Sequence, residues 1–229
     1  MGVHVETVVS DQEVFNDVKI WNNISGDLKK ALYNCRALDG MTPFQEYCNA
    51  LSMVVPGALC LYLCLWPSSG LWWTWRMSII AAAVLLHLPF SMAFHLLLAQ
   101  RKLQHSSNNT ARRLDQTFIH VTCMASAAAL STSEVYCSLC ILLNMYFISR
   151  LWAFRDAGVT ERMANIGMAV LLYWVPPLLR GDFQNTACGV GYFVLGALCM
   201  HFRLGGWGHS LLHILSGGLC YHILAAGAF

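Results

Sequence analysis

Charged residues are scarce in this chain: only 11% of its 229 residues are Asp, Glu, Lys or Arg, whereas 57% are hydrophobic. Soluble globular domains carry about 25% charged residues, and a single core of this size could not hide so much apolar surface. The composition therefore excludes an ordinary soluble domain. The small formal net charge of +2 gives no reason to expect nucleic-acid binding. We expect a protein that the lipid bilayer solvates.

The chain is also poor in features of secreted proteins. Its first residues are polar and lack the apolar core of a secretory signal, so we expect the first membrane helix to act as the targeting signal. Most of the ten cysteines lie in apolar stretches, and the C-x-x-C pair of Cys137 and Cys140 has no second pair nearby. These cysteines are interpreted as small core or lipid-facing residues rather than as a disulfide framework.

Long apolar runs make up most of the sequence. We expect residues 1–43 to form a polar, cytosolic tail with a short amphipathic helix near 14–21. We expect residues 44–229 to form an all-α integral membrane domain, a bundle of seven transmembrane helices. Each apolar segment is near the ~17–25 residues that cross the hydrocarbon layer. The segments are 44–66, 77–99, 115–132, 135–152, 163–179, 186–202 and 207–228.

Basic residues predict the orientation, because cytosolic loops are enriched in Lys and Arg. The loops after the second, fourth and sixth segments contain or adjoin most of them: Arg101, Lys102, Arg112, Arg113, Arg150, Arg155, Arg162 and Arg203. On the other face we find only Arg76 and Arg180, together with an aromatic belt of Trp66, Trp72, Trp73 and Trp75. The N-terminus is therefore expected in the cytosol and the C-terminus in the lumen or outside the cell. The sequons at Asn23 and Asn108 would then carry no glycan. A plasma membrane and an endomembrane are equally compatible.

Polar residues inside the apolar segments mark a candidate site, because they are costly in a membrane and function is their usual explanation. They occur near the cytosolic ends of four segments, so they share one depth. These residues are Glu46, Asn49, Ser91, His95, Asp115, His209 and His213. The other histidines of the segments are interpreted as residues that hydrogen-bond between helices: His87, His120, His201 and His222.

The spacing of three histidines indicates a zinc site near the cytosolic face. His209 and His213 are four residues apart, so both project from one helix face. Ser91 and His95 repeat this spacing on another helix and supply a third imidazole. Three protein ligands and a water are the arrangement of catalytic zinc, which lowers the pKa of that water to about 7.

The neighbouring polar residues suggest catalytic roles. Asp115 could take a proton or orient the water, and Ser91 could support the ligands or donate to an oxyanion. By spacing alone, Asp115 could instead form an interfacial salt bridge with the two arginines that precede it. Glu46 and Asn49 could likewise be a polar helix start.

The same residues resemble the motifs of a known superfamily. Ser91-Met-Ala-Phe-His95 is similar to S-x-x-x-H in its second helix, and His209-Ser-Leu-Leu-His213 to H-x-x-x-H in its last. The Asp of its third helix corresponds to Asp115. Over roughly residues 44–228, the chain resembles the seven-helix group of alkaline ceramidases, adiponectin and progestin receptors, haemolysin III-like proteins and GPI-remodelling phospholipases.

The resemblance implies roles for seven residues. In the superfamily the three histidines bind zinc and the Asp and Ser lie beside it, which implies these roles for His95, His209, His213, Asp115 and Ser91. Glu46 and Asn49 are similar to a Glu/Asn pair in the first helix and are expected to support the site. The acidic calcium-binding cluster of alkaline ceramidases is not evident, since only Asp39 and Glu46 lie near its place. The branch of the superfamily is therefore left open.

The resemblance implies a zinc-dependent membrane hydrolase that cleaves an amide or ester bond in a lipid, with ceramide-like lipids first. The lipid would enter laterally from the cytosolic half of the bilayer. The alternative is a receptor or scaffold of the adiponectin or progestin receptor type, in which zinc is structural and a lipid is the ligand. A channel or transporter is a third reading, and the lack of charge along any one helix disfavours it.

Overall fold

A computed structural model describes residues 41–66, 74–100, 109–153, 159–202 and 204–228, all within one compact unit that spans Gly40–Phe229. In these ranges the chain forms helices and no strand, as the expected all-α class requires. The helices are α1 (Pro43–Ser52), α2 (Val54–Leu65), α3 (Trp75–Ala99), α4 (Thr110–Leu130), α5 (Glu134–Ala153), α6 (Val159–Leu179), α7 (Phe183–Phe202) and α8 (Gly208–Gly227), with a 3₁₀ turn at Leu204–Gly206.

In the part of the chain that the structure describes, six stretches of helix are long and apolar enough to cross a membrane, which indicates a multi-pass membrane protein. They are α1 and α2 together, α3, α5, α6, α7 and α8. Large apolar side chains point outwards from several of them, including Leu65, Val135 and Leu179, at 70%, 72% and 81% exposure. Such a surface suits lipid rather than water.

The seventh predicted segment forms a helix, α4, that is less apolar than the other six. Its 21 residues are enough to cross the hydrocarbon layer, but polar residues fill its first half. The helix begins at Thr110 rather than at 115, because the Asn109 side chain caps it and accepts a hydrogen bond from the Ala111 N–H at 2.8 Å. Asp115 therefore lies inside the helix instead of opening it. The prediction of apolar spans is confirmed for the six other stretches.

The first span contains a break at Met53 that later matters for the site. Pro56 lacks an N–H, so the Ser52 carbonyl cannot receive the usual helical hydrogen bond. The Met53 N–H donates to the Leu51 carbonyl rather than to that of Asn49. The Asn49 carbonyl is therefore available to donors from outside the helix.

The two ends of the bundle are marked by contacts between helices. At one end, Arg180 donates to the carbonyl of Leu130 in α4 and, at 3.0 Å, to that of Ala226 in α8. At the other end, Trp152 Nε1 of α5 donates to Thr117 Oγ1 of α4 at 3.0 Å. α4 therefore runs through the bundle from one end to the other.

Parts of the predicted topology lie outside the described residues, and the structure says nothing about them. Of the four tryptophans predicted to form the aromatic belt, the two that are described, Trp66 and Trp75, are exposed, at 59% and 63%. The nine cysteines in the described ranges are free thiols. Predictions that fall outside those ranges are the tail with its helix at 14–21, Arg101, Lys102, Arg155, Arg203, Trp72, Trp73 and the sequons at Asn23 and Asn108.

Candidate metal centre

Three histidines meet near one end of the bundle. His95 comes from α3, and His209 and His213 come from successive turns of α8. Their candidate ligand nitrogens lie within 4.8 Å of one another. The ring centroids are 4.7 Å apart for His95 and His209 and 4.5 Å apart for His209 and His213. The structure thus brings together the three predicted ligands, in a group that could hold a metal ion.

His95 is held by a carboxylate of the first span, Glu46. Its Nδ1 lies 2.7 Å from Glu46 Oε2, and both side chains are only 2% exposed. Its Nε2 is buried and has no hydrogen-bond partner among the described residues. Buried polar atoms are rarely left so, and a metal ion would give this nitrogen a partner. A carboxylate on the other nitrogen is the usual support for a metal-bound histidine.

His213 is held in the same way, by groups from the first span. Its Nδ1 lies 3.0 Å from the Asn49 carbonyl, the acceptor that the break at Met53 makes available. It also lies 3.0 Å from Ser52 Oγ. The Ser52 hydroxyl donates to the Asn49 carbonyl at 2.8 Å, so it cannot also donate to His213. Nδ1 of His213 is therefore the protonated nitrogen, and Nε2 is the one left for a metal.

The start of α8 is tied to α1 by further hydrogen bonds. Ser210 Oγ donates to Asn49 Oδ1 at 2.6 Å, and Gln45 Nε2 donates to the Gly205 carbonyl at 2.8 Å. Gly206 has φ +91°, and a side chain there would collide with that of Gln45. These contacts fix the position of the H-x-x-x-H turn. Glu46 and Asn49 thus lie behind the histidines, where supporting residues were expected.

Asp115 lies beside the histidine group and pairs with a histidine of its own. His87 Nε2 of α3 is 3.0 Å from Asp115 Oδ1. Ser91, one turn further along α3, is buried and lies near enough to the carboxylate to interact with it. The ion pair that the structure shows for Asp115 is therefore with His87, and not with the arginines that precede it in sequence. The structure places Ser91 and Asp115 near each other, and the catalytic roles predicted for them stay predictions.

Four other histidines were interpreted as residues that hydrogen-bond between helices. This interpretation is confirmed for His87, for His120, which bonds Asn144 at 2.9 Å, and for His222, which bonds Asn185 at 3.0 Å. The interpretation is not confirmed for His201, which is exposed and packs edge-on against Phe202 of its own helix.

Two serines of the site were missed by the sequence analysis. They are Ser52 of α1 and Ser210, which lies inside the H-x-x-x-H motif. The spacing could have indicated both serines, since residues three or four apart share a helix face: Ser52 follows Asn49 by three residues, and Ser210 precedes His213 by three. Their roles depend on contacts between α1 and α8, which spacing within one helix does not reveal.

The arrangement offers three imidazole nitrogens to one ion, with a carboxylate and a hydroxyl nearby. Imidazole ligands suit zinc, copper, iron and nickel. The metal-binding group in the described residues contains three such ligands, so an ion held there has coordination positions left over. No family model, curated protein or solved structure matches this chain. The function is therefore inferred from the geometry of the site and from the sequence motifs.

Proposed function

We propose that this protein is a zinc-dependent intramembrane hydrolase that cleaves an amide or ester bond of a lipid, with a ceramide-like lipid as the first candidate. The observation that carries the proposal is the buried Nε2 of His95, which has no hydrogen-bond partner among the described residues, in a ring that Glu46 holds through Nδ1 and that packs beside two other histidines. Zinc bound there would polarise a carbonyl and lower the pKa of a bound water to near 7.

Residues of three helices would hold the zinc ion and orient its ligands. His95, His209 and His213 supply the nitrogens. Glu46 and the Asn49 carbonyl accept the outer N–H groups of His95 and His213, so both rings present Nε2 inwards. Because these partners are packed inside the bundle, the ligands do not need to reorganise when an ion binds.

Asp115 and Ser91 would perform the proton transfer and the hydrogen bonding. His87 occupies Oδ1 of Asp115, so Oδ2 is the oxygen that takes the proton from water and passes it to the leaving group. Ser91 Oγ donates a hydrogen bond, either to this carboxylate or to the developing oxyanion. The low exposure of Ser91, at 1%, keeps bulk water away from that bond.

We further propose that α4 is the seventh span and that the site lies near the cytosolic face. α4 reaches from Trp152 at one end of the bundle to Arg180 at the other. Its less apolar composition is tolerable because packed neighbours, rather than lipid, cover much of it. Seven crossings would put the two termini on opposite sides of the membrane. The basic residues near the site would make that end the cytosolic one, with the N-terminus in the cytosol and the C-terminus in the lumen or outside.

A hydrolysis assay tests the proposal. The purified full chain, loaded with zinc in a detergent or nanodisc, would be incubated with labelled ceramide and with an ester-linked lipid. We expect release of the acyl chain by the wild type and none by the His209→Ala/His213→Ala variant. His222→Ala is the matched control, because this α8 histidine bonds Asn185 and is not part of the group.

The possible results separate the two functional classes. Activity that survives the double substitution would show that these histidines are not needed and refute the proposal. Zinc that is bound by the wild type without cleavage of either lipid would also refute the hydrolase. In that case the receptor or scaffold with structural zinc becomes the better account.

A further inference from the structure

One face of α3 carries three polar side chains in a row. His87, Ser91 and His95 follow one another at intervals of four residues, so they share that face of the helix. His95 belongs to the metal group. His87 lies two turns away, which is about 12 Å along a helix axis, and it is outside that group. This imidazole therefore has a role other than binding the same ion.

His87 contacts the carboxylate of Asp115, which lies on the neighbouring helix α4. The distance from His87 Nε2 to Asp115 Oδ1 is 3.0 Å, and the two side chains are 15% and 13% exposed. An ionised carboxylate only accepts hydrogen bonds, so His87 Nε2 is the donor. Because both side chains are largely shielded from solvent, water competes little with this bond. The contact therefore holds Oδ1 in place from α3.

Asp115 lies among several other groups that interact with its carboxylate. It is near enough to His95 and His213 to interact with both. Arg112, three residues earlier in α4, attracts the same carboxylate. Without a fixed partner, the side chain would be free to turn from one of these groups to another. The bond to His87 therefore sets the orientation that Asp115 adopts.

We propose that His87 is a positioning residue for Asp115 and that it keeps Oδ2 of this carboxylate directed at the proton it accepts during hydrolysis. The inference rests on the proposed hydrolase function. His87 is not among the proposed zinc ligands, so its loss should lower kcat and leave the zinc content and KM unchanged. We expect a loss of about 10–100-fold, because a misplaced reacting group and a lost hydrogen bond to a charge each reach this range.

Steady-state kinetics with the zinc-loaded full chain in nanodiscs test this role. His87→Leu removes the donor and should lower kcat by about 10–100-fold at unchanged KM and zinc per chain. His87→Gln places an N–H close to the position of Nε2 and should restore most of the turnover. His222→Leu is the control and should keep the wild-type kcat, because this histidine bonds Asn185 in α7. If His87→Leu does not fold, His87→Asn replaces it, since the shorter amide does not reach Oδ1.

A double substitution separates positioning from a purely structural role. In an Asp115→Asn background, His87→Leu should lower kcat no further, because a residue that acts only through Asp115 then has nothing left to position. A residue that merely stabilises the bundle would lower kcat in both backgrounds, and His87→Gln would not need to restore it.

The carboxyl carbon-13 signal of Asp115 tests the contact without any activity. In a chain labelled at the aspartate side-chain carboxyls, this signal is identified by its loss in Asp115→Asn. It should shift in His87→Leu and stay in place in His222→Leu. A signal that does not shift, wild-type kcat in His87→Leu, or a further loss of kcat in the double variant would overturn the positioning role alone. A wild type that cleaves neither lipid would overturn the hydrolase, and the positioning role with it.

Discussion

Replacing Glu46 with glutamine should weaken zinc binding although all three proposed zinc ligands stay in place. The carboxylate lies 2.7 Å from His95 Nδ1, and both groups are 2% exposed, so solvent screens their interaction little. Glutamine keeps the size and an acceptor oxygen but loses the charge. A charge-assisted hydrogen bond contributes about 1–2 kcal/mol more than a neutral one. Mutation of a residue that hydrogen-bonds a metal-binding histidine typically lowers metal affinity by about 10–100-fold.

The assay for this prediction is a competition titration, in which a chelator of known affinity competes for zinc. Glu46→Gln should bind zinc about tenfold or more weakly than the wild type. Glu134→Gln serves as the control, because Glu134 is exposed and begins α5, in a turn near the opposite end of the bundle. Equal zinc affinities for the wild type and Glu46→Gln would refute the reasoning that this carboxylate orients His95.

Three other predictions concern packing, catalysis and helix ends. Gly189→Ala should lower the free energy of unfolding by ~1–3 kcal/mol, because a Cβ there would collide with the Trp174 ring. Gly191→Ala in the same helix meets open space and should be neutral or stabilising, so equal melting shifts would contradict this account. Asp115→Asn should keep its zinc content but lower kcat by about 10²–10⁴-fold, and unchanged kcat would exclude it as the proton acceptor. Arg180→Gln should lower the free energy of unfolding by ~2 kcal/mol, because the carbonyls near the ends of α4 and α8 lose a charged donor. Chemical unfolding measures this change. An unchanged free energy of unfolding would show that these contacts contribute nothing.

Most helices could be predicted because the bilayer imposes a length and an apolar composition on each crossing. The predicted range 77–99 lies within Trp75–Ala99, and 135–152 lies within Glu134–Ala153. α4 departs from this rule. Its first turns are polar, and the Asn109 cap that starts it is a local feature that hydropathy does not detect.

The candidate site was predictable as far as spacing within a helix reaches. Residues four apart share a face, which is why His209 and His213 could be paired from sequence. The pairing of Asp115 with His87 was not predictable, because it depends on how α3 and α4 are rotated against each other. Burial explains the result, since a carboxylate inside the bundle needs a nearby donor, and His87 supplies it.

The central claim is that His95, His209 and His213 bind one zinc ion. Zinc per chain should be measured in the purified full-length protein after zinc loading and desalting, together with the X-ray absorption spectrum at the zinc edge. We expect one zinc per chain with three imidazole nitrogens, lost in His209→Ala/His213→Ala and kept in His222→Ala. A wild type without zinc, or a double variant that keeps it, would contradict the account.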